Sequence, residues 1–324
     1  MIAVLAGAVH ADSLRIATYN TELFRKGPGL LLRDILRGED AQVSAVIAEI
    51  VAVEPDVITL QGIDYDLENR ALSALAAALE DAGRAYPHQF SGPPNSGRVT
   101  QVDLDGDGKT GGPADAQGYG RFLGQGSMAV LSRFPIDHDK ITDFSKLLWQ
   151  EMPGAMLPKD DKGPFPSPAA INVQRLSSHG HWVIPIRHPT LGQINVMTYH
   201  ATPPVFDGPE DRNGRRNHDE TRFWSLYLNG AFGPAPKDRF VIAGDANLDP
   251  EGGDGLGAAM ATLLAHKSVQ DPLPGLPTVV WEQTGPLRVD YVLPSTDWRV
   301  VDAAVRPINP EASRHALVWV ELAR

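Results

Sequence analysis

The 324-residue sequence contains no cysteine, which excludes disulfide bridges, thiolate zinc sites and cysteine nucleophiles together. No run approaches the roughly 18 apolar residues that a membrane span requires. Positive charge is scarce: 29 Lys and Arg stand against 40 Asp and Glu, for a formal net charge of −11. That balance argues against broad electrostatic adhesion to nucleic acid or anionic membrane and leaves room only for a local basic pocket. Internal repeats are missing, as is a linker between self-contained halves, so one α/β domain over residues 12–324 is the simplest organisation. A hydrophobic content of 42% is enough to build a sizeable core.

Residues 1–11 form a short apolar run in which Val9 and Ala11 lie two apart, the small-residue spacing that precedes a signal-peptidase cut. The segment reads as the remnant of a secretory leader clipped after Ala11, which points to the periplasm or the extracellular space. The basic residues that normally open a leader are missing, and an ordinary buried first strand is the competing reading.

Downstream, Leu14 to Asn20 alternates and is β-rich, Ala41 to Val53 carries apolar residues at helical spacing, and Pro55 to Leu60 returns to strand. Leu67 to Ala82 reads as a second helix. A long Gly/Pro/Asp-rich loop then runs from about Ser91 to Gly126 before a strand at Ser127 to Arg133. Gln150 to Pro168 looks like a surface excursion. Strands are expected at Trp182 to Ile186, Gln193 to His200, Phe240 to Ala243, Arg288 to Leu293 and Leu317 to Leu322, with helices at Asp219 to Asn229 and Ala258 to His266.

Polar residues recur where these strands end. Asn20 follows the first strand, His200 follows Ile194 to Tyr199, and Asp245 and Asn247 follow Phe240 to Gly244. Asp290 sits in Arg288 to Leu293, and His315 precedes the last strand. Asp245 and Asn247, two apart in near-extended backbone, point the same way and could share a cation or a phosphate. Singly, each residue has an ordinary reading: a strand-end cap, an Asx-rich turn, a core histidine, an edge charge. Recurrence at one sheet edge is harder to dismiss, because α/β folds place ligands there.

The order of motifs resembles that of the endonuclease/exonuclease/phosphatase superfamily. It rests on Ala17-Thr18-Tyr19-Asn20, Pro55 to Gln61, Ala129 to Ile136, Thr198-Tyr199-His200, Gly244-Asp245-Ala246-Asn247, Val289-Asp290-Tyr291 and Ser313-Arg314-His315. The resemblance implies two packed β-sheets flanked by helices, a four-layer α/β sandwich. It also implies roles. Asp245 would activate or orient the attacking water, while Asn247 and His200 would hold phosphoryl oxygens. His315, oriented by Asp290, would stabilise the transition state or protonate the leaving oxygen, and Asn20 would sit beside a Mg²⁺ or Mn²⁺ ion. Two positions depart from the pattern: Gly62 stands where a metal-ligating glutamate is expected, and Arg314 where an aspartate precedes the last histidine. Glu22 and Asp64 could supply the missing oxygen, and Arg314 could bind substrate phosphate directly.

Two further segments stand apart. Asp103-Leu104-Asp105-Gly106-Asp107-Gly108 spaces three carboxylates at alternate positions, as the start of an EF-hand-like Ca²⁺ loop does. Position twelve of such a loop is Ala114, with Asp115 next along. Arg212, Arg215 and Arg216 cluster after His200 and suggest an anion-recognition loop, or a surface loop capping the helix at Asp219 through Asn217 or Asp219. The activity expected is divalent-metal-dependent hydrolysis of a phosphate ester, a diester by preference, on a phosphorylated small molecule or nucleic acid. An extracellular endonuclease and a degenerate, ligand-binding family member are the alternatives. No protein partner is evident.

Overall fold

In the computed structural model, residues 13–324 are described; the expected leader at 1–11 lies outside them. The first half runs β1 (Ser13–Asn20), α1 (Leu30–Arg37), α2 (Ala41–Val53), β2 (Val57–Ile63), α3 (Arg70–Asp81), β3 (His88–Phe90), β4 (Ser127–Ser132) and β5 (Thr142–Asp143). A small hairpin, β6 (Lys159–Asp160) and β7 (Gly163–Pro164), leads into α4 (Pro168–Val173). The second half runs β8 (His181–His188), β9 (Gly192–Tyr199), α5 (Arg212–Leu228), β10 (Phe240–Asp245) and α6 (Ala258–Leu264). It closes with β11 (Val279–Trp281), β12 (Gly285–Leu287), β13 (Asp290–Pro294), β14 (Arg299–Val305) and β15 (Val318–Ala323).

Strand alternation decides the layers. A six-stranded sheet, ordered β14-β15-β1-β2-β4-β3, packs face to face on a five-stranded sheet, ordered β13-β10-β9-β8-β5. Leu14 and Ile16 of β1, Val130 of β4, Ile184 of β8, Val196 of β9 and Val241 of β10 share the inter-sheet core. The intervening residues of each strand face outward. Ala17 and Tyr19 join α1, α2 and α3 on one side, and Met197 and Ile242 join α5 and α6 on the other. Four layers, helix–sheet–sheet–helix, follow from this period-two division of apolar side chains.

The α2 helix runs where its apolar spacing places it, with Asp40 accepting from Val43 N at 2.9 Å as N-cap. The excursion after Gln150 is less superficial than expected. Trp149 and Met152 enter the second helical core, and Trp149 Nε1 donates to Asp219 Oδ2 at 2.7 Å. β1 and β2 are parallel, as are β9 and β10, so their C-terminal ends open on one edge.

Candidate active site

At that edge, β10 delivers Asp245 directly opposite Asp290, the first residue of β13. The His200 backbone bridges to Asp245, and Asn20 ends β1. Asn20 Nδ2 donates to Asp245 Oδ2 at 2.8 Å and lies 3.5 Å from His315 Nε2. His315 Nδ1 sits 2.9 Å from Asp290 Oδ2, and His200 Nε2 3.5 Å from Asp245 Oδ2. Asn247, in the left-handed region at φ 46°, donates its N–H to Asp245 Oδ1 at 2.7 Å and its side-chain amide to Ala201 O. The six residues singled out at strand ends thus form one contiguous polar group.

Electrostatics divides the group. Burial and the neighbouring charge of Asp290 push Asp245 up to about 7, against the opposing pull of His315 and the Asn20 and Asn247 hydrogen bonds. Burial alone would lower His315, but the charges of Asp290 and Asp245 and the Asp290 hydrogen bond outweigh it and raise the imidazole to about 9. Burial, reinforced by His179 and His315, takes His200 well below its ordinary value. One imidazole is therefore a standing cation near neutral pH and the other a neutral ring.

Asp245 and Asp290 lie beneath the surface, fully buried, whereas Asn20, His200, Asn247 and His315 line a cleft of about 1080 Å³. Its walls mix aromatic side chains (Phe24, Tyr119, Phe206 and Trp281) with Arg25, Lys26, Arg121 and Arg314. The long loop after Ser91 supplies Tyr119, Arg121 and Gln125; it is anchored by buried Asn95, whose Nδ2 donates to Ser145 O and Ser177 O.

Other expected site residues go elsewhere. Asp64 is buried and spends its carboxylate on the N–H groups of Arg25 and Gly126, both at 2.9 Å, and burial lifts it to about 6. Glu22 lines the cleft but is clamped to Arg314. The anion-recognition loop is instead helical. The α5 helix starts at Arg212, seven residues ahead of Asp219, because Arg216, Asn217, Glu220, Phe223, Trp224 and Tyr227 form one buried face. Arg212 donates to Leu104 O and Arg215 to Glu210 O, while Arg216 holds the carbonyls of Leu176, Arg175 and Gln117. None of the three lines the cleft. Asn217 is no cap: its amide donates to Thr202 O and Ala246 O, both at 2.8 Å, and ties α5 to the Asp245–Asn247 turn.

In the acidic loop, Asp103, Asp105 and buried Asp115 bring ligand atoms within 4.8 Å of one another, whereas Asp107 accepts from Lys109 N and is outside the group. Two cleft residues, His179 and Trp281, and the buried Glu220 behind them carried no signal in the strand-end pattern. His179 stacks on His200 with ring centroids 3.9 Å apart, and Trp281 meets His315 edge-on at 5.6 Å. Glu220, from α5, accepts from Ser178 N and Thr202 N and fixes the segments that carry His179 and His200. The polar run Ser177-Ser178-His179 just before β8 was the one available hint.

Residues 17–315 match the profile of the Endonuclease/Exonuclease/phosphatase family, and the match spans every site residue just described. The chain belongs to this family. Its members hydrolyse phosphate esters. An endonuclease/exonuclease/phosphatase from Beutenbergia cavernae superposes with a TM-score of 0.59 at 20% identity, covering 96% of this chain and 72% of that one. Sphingomyelinase C from Streptomyces griseocarneus gives 0.53 at 19% identity, covering 96% and 99%. The beta toxin of Staphylococcus aureus, solved with bound magnesium ions, gives 0.53 at 15%, covering 97% and 100%. At such identities these structures share the fold. No curated protein matches the sequence.

Proposed function

We propose that the protein is a divalent-metal-dependent phosphoesterase that hydrolyses a phosphodiester by in-line attack of water and acts outside the cytoplasm. The observation that carries this reading is the Asp290–His315 pair beside the Asn20–Asp245 pair at the cleft floor, in which a buried carboxylate holds a protonated imidazole against the opening. Aromatic and cationic walls on a cleft of about 1080 Å³ leave room for substituents on both phosphate oxygens, which supports a diester. The small-residue spacing of Val9 and Ala11 in the apolar run is what supports export.

The residues fit a cation. Asp290 Oδ1 is buried without a hydrogen-bond partner, and Asp245 is raised by the charge beside it. Asp245, Asp290 and His315 bring ligand atoms within 4.8 Å. Asp245 and the free Asp290 Oδ1 would hold a Mg²⁺ or Mn²⁺ ion while Asp290 Oδ2 keeps its bond to His315. Such an ion supplies charge to offset that building on the phosphoryl group and lowers the pKa of a water it binds. The protein's own groups do the rest. Asn20, Asn247 and neutral His200 donate to phosphoryl oxygens, Asp245 orients the attacking water and accepts its proton, and His315 Nε2–H protonates the leaving oxygen.

The kcat–pH profile should be a bell. Asp245 must be ionised, so activity falls toward acid, with the bound cation drawing that limb below the raised value of the free carboxyl. His315 must be protonated, so activity falls above about 9. A profile that keeps rising past pH 10 removes His315 as the donor.

The decisive assay supplies bis-p-nitrophenyl phosphate, p-nitrophenyl phosphate and plasmid DNA, each with Mg²⁺, Mn²⁺, Ca²⁺ or EDTA. Turnover of the diester with metal and its loss in EDTA is expected. Plasmid nicking without small-ester hydrolysis favours the endonuclease, and phosphate binding without turnover the degenerate member.

The acidic loop is proposed as a separate, structural Ca²⁺ site formed by Asp103, Asp105 and Asp115, where burial and then the neighbouring carboxylates already raise Asp105. At ten times Kd, Ca²⁺ should stabilise the fold by about 1.4 kcal/mol. A rise in Tm that persists in Asp105→Ala would count against the loop.

A further inference from the structure

Three features converge on one wall of the cleft. At Gly62 the backbone is left-handed (φ 68°), and a Cβ there would come within 2.4 Å of Asn20 Oδ1 and 3.0 Å of Glu22 N. The wall therefore has no room for a carboxylate at 62. Beside it, Glu22, itself left-handed at φ 50°, accepts from Arg314 N and Nε, each at 2.9 Å, and from Nη2. Ser313 Oγ, which donates to Asn20 O, also reaches Glu22 Oε2 at 3.3 Å. The third feature is Trp281, whose ring backs the guanidinium at 4.8 Å while its edge meets His315.

A guanidinium gripped on one edge by a carboxylate and on its face by an indole is fixed in place, with little rotamer freedom left to lose. Among the described residues Arg314 Nη1 donates to nothing, and the side chain is 64% exposed to the cleft it lines. Glu22 meanwhile belongs to neither of the two groups of described residues close enough to share an ion. The hydrogen bonds to Arg314 hold its carboxyl below the ordinary range against the opposing effect of burial.

We infer that the Arg314 guanidinium, held by Glu22 and braced on Trp281, binds the phosphoryl oxygens of the substrate on the Asn20 side of the cleft. Glu22 is thus the positioning residue for Arg314 and not a metal ligand. The inference rests on the phosphoesterase reading for its choice of ligand. It adds that this wall offers fixed guanidinium N–H donors and no carboxylate free for a metal, so the cleft holds one ion, on the Asp245 side. Nη1 and the free Nη2 hydrogen give the planar, two-point donor that a phosphoryl group accepts.

The test titrates inorganic phosphate into the Mg²⁺-loaded protein by calorimetry, and Mn²⁺ alone into an Asp105→Ala background that silences the acidic loop. Arg314→Gln should weaken phosphate about tenfold, and Arg314→Lys should not restore it, since an ammonium cannot keep the Glu22 clamp and present a planar pair. Glu22→Ala should weaken phosphate in the same direction, the double variant should lose little more, and Mn²⁺ affinity should stay within about twofold of the parent. A residue that merely supported the fold would give additive losses. Unchanged phosphate affinity in Arg314→Gln, absence of phosphate binding to the wild type, or loss of Mn²⁺ in Glu22→Ala would each overturn the inference. Arg314-dependent phosphate binding in a protein that turns over no ester leaves the pair standing and removes the phosphoesterase reading instead.

Discussion

His315→Ala is expected to lower kcat by about three orders of magnitude with KM little changed, the loss typical of a proton donor that acts in the transition state. The imidazole is held from behind by Asp290 at 2.9 Å and opens on the cleft beside Asn20. Its proton is retained near neutral pH because two buried carboxylates outweigh the penalty of burial. Asp290→Asn separates donor from support. It leaves the ring in place but removes the largest influence raising it, so at a metal concentration high enough to offset the weakened Oδ1 ligand the alkaline limb of the profile should move below about 9 and kcat should fall by less than in His315→Ala. Turnover that survives His315→Ala, or an alkaline limb that stays fixed in Asp290→Asn, would sink the assignment. A melting curve must accompany each variant, because without His315 the buried Asp290 Oδ2 loses its one partner.

The site was legible in the sequence where chemistry coincides with strand periodicity. Asn20, His200 and Asp245 close apolar alternations, so a period-two reading places them at an edge, and motif order brings Asp290 and His315 to the same edge. The layers were legible for the same reason. What spacing does not carry is burial. Arg212, Arg215 and Arg216 look like an anion cluster in sequence, yet a helical face buries Arg216 and turns its guanidinium onto three carbonyls. The missed strand β14 is an edge strand with mostly exposed or half-buried residues, so no apolar alternation announces it. The short α1 helix lies between Gly29 and Gly38, whose left-handed conformations bound it without a side-chain cap. Trp281 and His179 reach the cleft from β11 and from the segment before β8, and only tertiary packing brings either beside a catalytic candidate.

Gly62→Glu, the change that would place a carboxylate at this position, should destabilise the fold by about 3 kcal/mol and leave metal affinity no higher. The estimate combines about 1–2 kcal/mol for a side chain in the left-handed region with a further 1–3 for overpacking. The register of β2 on β4 shifts between Gln61 and Ile63, so Gly62 occupies an irregular point where the strand bends toward Asn20. A Cβ there meets Asn20 Oδ1 at 2.4 Å, and that same amide donates to Asp245 through Nδ2. Relief of the overlap would have to displace either the Asn20 side chain, which dismantles the hydrogen-bonded floor, or the Glu22 backbone, which carries the clamp on Arg314. Gly62→Ala isolates the steric and backbone part and should account for most of the loss in a denaturant midpoint. If Gly62→Glu melted like the wild type and bound Mn²⁺ more tightly, the wall would have room for a ligand, and the guanidinium at Arg314 would be an incidental neighbour rather than the reason no carboxylate is needed there.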